Sequence, residues 1–94
     1  MSTKNKKVDI YQEAASTENY FYLSNGTPLK SLAELIDQLV NMDQELFNNH
    51  VSKKNNDFAN WVRDVFGYKE LARRMSMTRS PRGMLKSISK FLES

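Results

Sequence analysis

The chain has 94 residues, no cysteine and a net charge of +3. That length predicts one domain, burying about 60–65% of its unfolded surface, and the lack of thiols excludes disulfides and cysteine-based zinc sites. No apolar run nears the ~20 residues of a membrane span, and with no leader-like start the expectation is a cytoplasmic protein.

The charge is unevenly spread. Residues 1–7 carry Lys4, Lys6 and Lys7. Residues 8–50 hold seven acids against Lys30 alone, a balance of −6, whereas residues 51–94 hold ten bases and four acids, a balance of +6. Such asymmetry fits either a surface for nucleic acid or a partner, or two halves that attract each other within one fold.

Residues 1–18 are polar, start Lys-rich and lack a sustained apolar period, which predicts a disordered tail. Residues 19–94 are expected to form the single domain. Tyr20-Phe21-Tyr22-Leu23 favours a strand. Asn25-Gly26 then suits a type I′ hairpin turn, with both central residues at positive φ. Thr27 to Lys30 would return as an edge strand, because Pro28 cannot donate a ladder bond. A plain extended segment with a turn is the alternative.

Ser31-Leu32-Ala33-Glu34 matches the capping box, in which the Glu side chain reaches back to the Ser amide. Leu32, Leu35, Ile36, Leu39 and Val40 follow at helical spacing, predicting a helix over residues 32–41. Asp43 is a good N-cap for a second helix with an inner stripe of Leu46, Phe47, His50 and Val51. Ser52 to Asn56 is a polar connector. Asn56 or Asp57 caps a third helix, on which Phe58, Trp61, Val62, Val65 and Phe66 make one wide apolar stripe. Gly67 suits its left-handed C-terminal cap. Tyr68 to Met75 reads as a fourth helix with Leu71, Ala72 and Met75 inside. Ser80-Pro81 opens a basic amphipathic helix over residues 81–93, its apolar face carrying Met84, Leu85, Ile88, Phe91 and Leu92. A chain this small needs that area on its own core. The fold class is therefore mainly α: a compact bundle of four to five short helices with a short N-terminal β-hairpin or extended segment.

The sequence resembles a small family of uncharacterised prokaryotic domains of unknown function, frequent in archaea. The likeness is carried by Phe21, Gly26, Leu29 to Leu32, Glu34, Leu35 and Phe47, by Val62, Asp64 to Gly67, Leu71 and Ala72, and most specifically by His50-Val51 with Asn56-Asp57-Phe58-Ala59-Asn60-Trp61. It covers residues 20–75. It implies a small, largely helical, cytosolic fold and no known activity, so it assigns no catalytic residue.

Little in the residues carries chemistry. His50 and Asp57 suggest part of a catalytic relay, but a relay needs a nucleophile, and no Ser sits in a strained, Gly-flanked turn. The pair reads better as structural: His50 donating to Asp57 or a loop carbonyl, with Asp57 also capping the third helix. One His and scattered carboxylates show no metal-ligand spacing. The three glycines form no phosphate loop. No cofactor or metal is expected, and the chain is predicted to be non-catalytic.

The basic C-terminal third is the stronger lead. Lys69, Arg73, Arg74, Arg79, Arg82, Lys86 and Lys90 face one acid, Glu70, between residues 69 and 90. The third and fourth helices around Gly67 also have helix-turn-helix proportions, which would put Lys69, Arg73 and Arg74 near phosphates. The leading expectation is an interaction or regulatory module binding a protein partner or itself. The alternative is a nucleic-acid-binding protein that uses this basic third.

Overall fold

The computed structural model describes residues 8–93; the predicted disorder of residues 1–7 lies outside these. The fold is mainly helical, with a short two-stranded hairpin near its N-terminus. In order come β1 (Phe21–Tyr22), β2 (Pro28–Leu29), α1 (Leu32–Asn41), α2 (Gln44–Asn48), α3 (Asp57–Trp61), α4 (Lys69–Met75) and α5 (Pro81–Glu93).

Residues 8–18 correct the expectation of a disordered tail. The Ala14 amide donates to the Lys30 carbonyl at 2.8 Å and the Ala33 amide to the Ile10 carbonyl at 2.8 Å. The hydroxyl of Tyr68 accepts from the Asp9 amide at 3.0 Å. Ala14 is buried, and Val8 and Ile10 pack against the core. Three apolar side chains and a few backbone bonds suffice to hold a strap on a surface built by other segments. Periodicity within the strap itself carries no sign of this.

β1 and β2 pair antiparallel, Phe21 opposite Leu29 and Tyr22 opposite Pro28. The turn is not type I′, since Gly26 alone takes positive φ, at +94°, and no non-glycine among the described residues does. The Gly26 amide closes on the Leu23 carbonyl at 2.8 Å and the Leu23 amide on the Thr27 carbonyl at 2.9 Å. This is the pattern of a three-residue loop ending in a left-handed glycine.

α1 runs over the predicted span, and Ser31 caps it by accepting from the Glu34 amide. The return bond of the capping box is displaced by one residue: the Glu34 carboxylate accepts from the Lys30 amide at 2.7 Å. Leu32, Leu35 and Leu39 are buried, but Val40 is 60% exposed. It lies at the edge of the stripe and lines an open cleft with Pro81 and Leu85 of α5.

α3 is shorter than its stripe suggested. After Trp61 the backbone widens into one π-helical stretch over residues 62–66, closed by Gly67 at φ +76°. A wider turn rotates later side chains off the original face. Phe58, Trp61 and Val62 are accordingly buried, while Val65 and Phe66 are only half-buried.

α5 starts at the predicted Ser80-Pro81, where the Ser80 hydroxyl accepts from the Gly83 amide at 2.9 Å. It packs on α1 and α4. Met84, Ile88 and Phe91 join Phe47, Phe58 and Leu71 in one core, so this helix covers its own domain.

Candidate functional site

His50 follows α2, anchored between buried Phe47 and Val51. The connector folds back on itself: Val51 bridges Asn56, the Ser52 amide donates to the Asn55 carbonyl at 2.7 Å, and the Asp57 amide donates to the His50 carbonyl at 2.9 Å. This reversal sets the Asp57 Oδ2 3.4 Å from His50 Nδ1. The other ring nitrogen, Nε2, accepts from the Ser24 amide at 3.0 Å. A backbone amide can only donate, so Nε2 keeps its lone pair and the proton belongs on Nδ1, facing Asp57. The ring lies against Phe21 and Phe58, with centroids 5.0 and 5.3 Å away. His50 is thus a strut that fastens the hairpin turn to the start of α3.

Capping of α3 falls to Asn56 and not to Asp57. The Asn56 Oδ1 accepts from the Ala59 amide at 3.0 Å, while its Nδ2 donates to the Met75 carbonyl at 3.1 Å. One buried side chain therefore caps α3 and ties it to the end of α4. Asp57 extends the polar network outward instead. Its Oδ1 accepts from Asn55 Nδ2 at 2.7 Å, and Asn55 Oδ1 accepts from Asn60 Nδ2 at 2.9 Å. The carboxylate at the head of this chain accepts only, which orients both amides. The Asn60 Oδ1 is left as an acceptor.

Asn60 lines two adjoining surface clefts, as does Ser76. One, of about 230 Å³, has Arg63, Lys69 and Arg73 on its walls. The other, of about 170 Å³, has Lys53, Lys54 and Asn55. The five bases differ in commitment. Arg63 pairs with Asp64 at 2.9 Å and Arg73 with Glu70 at 2.6 Å. Hydrogen bonds from these guanidiniums hold the Asp64 and Glu70 carboxyls below their ordinary range, and the arginines are raised in turn. Lys53, Lys54 and Lys69 are exposed and have no ion-pair partner among the described residues.

The seven bases predicted from the C-terminal third do not share one cleft. Lys69 and Arg73 reach the pair just described. Arg74 pairs with Glu70 at 3.6 Å and lies over the Phe91 ring, 5.5 Å from its centroid. The backbone of Arg79 accepts from the Gln44 side chain. Arg82 lines a separate cleft of about 380 Å³ with Val40, Met42 and Leu85. Lys86 and Lys90 are exposed on α5. Lys53, Lys54, Arg63 and Asn60 were missed by sequence reasoning. The charges of the three bases were visible, but the nearness of Lys53 and Lys54 to Asn60 depends on the connector's reversal. For the helix-turn-helix reading, α4 is the second helix, and two of its three bases are tied to Glu70.

Among the described residues no three His, Cys, Asp or Glu side chains gather into a group able to hold a metal ion. Among the described residues no helix is long and apolar enough to cross a membrane. Comparison of the chain with protein-family models, with curated proteins and with solved structures finds no match.

Proposed function

We propose that this chain is a non-catalytic interaction module of the cytoplasm, working through its surface. One observation supports the reading above the others: both ring nitrogens of the sole histidine are engaged in bracing the fold. A general base needs an available lone pair, and that of His50 is directed at the Ser24 amide. The long bases and amides of the clefts are among the surface side chains able to meet another molecule. Kinship of residues 20–75 with the small prokaryotic domains belongs to the same proposal, resting on the motif around Asn56 to Trp61.

Cross-linking mass spectrometry in native extract tests this. Wild type is expected to capture a partner that Lys53→Glu/Lys69→Glu loses and that His50→Gln, once verified as folded, keeps. The reverse pattern would point to His50 chemistry. Light scattering at low and high salt tests self-association of acidic and basic surfaces: a dimer that salt dissociates supports it, and a monomer throughout removes it.

The second reading, nucleic acid, is favoured by the three unpaired lysines around Asn60. A phosphate can approach them without breaking an existing ion pair, whereas at Arg73 it must compete with a carboxylate 2.6 Å away.

A further inference from the structure

We infer that the two clefts joined at Asn60 and Ser76 form one binding site for single-stranded nucleic acid, with phosphates held by Lys53, Lys54 and Lys69 and an unpaired base edge offered to Asn60. The inference rests on the reading that the chain works by binding, and it names the partner.

Two independent features converge there. The first is charge. The clefts bring bases from the connector before α3 alongside bases from α4, and the three unpaired lysines sit on both sides of the shared residues. Phosphate oxygens are satisfied by such mobile cations, and each contact releases condensed counterions. The second is the acceptor. Asp57 orients Asn55, and Asn55 takes the amide nitrogen of Asn60, which leaves the amide oxygen of Asn60, a residue lining both basic clefts, as an acceptor. A site built for a bare polyanion gains nothing from an acceptor. A nucleotide brings both complements: an anionic phosphate and, on its base edge, an N–H donor. In a single strand the Watson–Crick donors are open to such a contact, whereas a duplex spends them on the opposite strand and keeps only groove-facing amine hydrogens. An acidic peptide would match the lysines and could donate to Asn60 only through its backbone amides; polyglutamate as a competitor tests that occupant.

Fluorescence anisotropy with a short labelled single strand of mixed sequence tests the site. Duplex of the same sequence, polyphosphate and polyglutamate serve as competitors. The single strand is expected to bind best, with a slope of log K against log salt of about −2, as three phosphate contacts require. Lys53→Ala/Lys54→Ala/Lys69→Ala should weaken binding about tenfold or more and flatten that slope. Arg82→Ala/Lys86→Ala/Lys90→Ala should leave both unchanged. Asn60→Ala should reduce the margin over polyphosphate while keeping the salt slope. All these side chains but Asn60 are exposed, and circular dichroism verifies each variant as folded. Polyphosphate or polyglutamate competing as well as the single strand would overturn the inference, as would a loss confined to the α5 variant or no binding at all. The cross-linking result for the interaction module would stand apart from any of these.

Discussion

Trp61 bridges parts of the chain that are far apart in sequence. It is 7% exposed, its ring meets Phe21 and Phe66 edge-on, and its Nε1 donates to the Asn19 carbonyl at 2.7 Å. Trp61→Ala should cost about 3–5 kcal/mol in a urea melt. Trp61→Phe should cost much less, about 1 kcal/mol beyond any repacking, because Asn19 is exposed and water can replace the lost donor. Asn56 and Asp57 separate similarly. Asn56→Ala removes a cap and a bond to Met75 and should cost about 2 kcal/mol. Asp57→Ala, at a partly exposed carboxylate, should cost under about 1 kcal/mol. The sequence made both residues candidates for the cap. It could not choose between them, because the second bond of Asn56 reaches a carbonyl 19 residues away. The Ser24 partner of His50 was hidden for the same reason. Glu70 offers a pH test. Its carboxyl is held low by Arg73, so the pair is intact above the ordinary Glu range and is lost as pH falls through the depressed folded value. An NMR titration should place its midpoint below that of a free Glu, and Arg73→Ala should move it up.

At the scale of elements, local signals were read well where the chain decides its own conformation. Ser31, Asp43 and Ser80 each cap the helix the sequence assigned to them. Gly67 takes the left-handed conformation its position after an apolar stripe suggested. Gly67→Ala should therefore destabilise by about 1–2 kcal/mol in thermal or urea melts. A β-carbon there would touch nothing within 4 Å, so the cost is conformational alone. Signals failed where neighbouring segments intervene. The π-helical stretch after Trp61 could not be read from a pattern that matches an ordinary α-helix at all five apolar positions. Val40 fits the α1 stripe by spacing and is still 60% exposed, on an open cleft shared with Pro81 and Leu85 of α5. The strap over residues 8–14 is ordered by contacts to Lys30, Ala33 and Tyr68.

For the molecule as a whole, α5 decides stability. Met84, Ile88 and Phe91 are buried, and each such side chain is worth about 1.5–3 kcal/mol. Their sum is comparable with the entire stability of an ordinary domain, about 5–15 kcal/mol. A chain stopped after Arg79 should lose its cooperative thermal transition by circular dichroism. The mainly helical class and the packing of this helix on its own core followed from apolar spacing and small size. The candidate site was only half legible. Lys69 and Arg73 stood out in a basic stretch, but their companions Lys53 and Lys54 come from the connector before α3 and are brought in by its reversal.

That dependence on α5 has a temporal side. A ribosome makes the strap well before α5, at about 5–20 residues per second. Until Phe91 has cleared the exit tunnel, the faces of Leu71 and Met75 that α5 will cover have no lid. The nascent chain must wait in this unfinished form, and a chaperone that grips exposed apolar surface has its opening then.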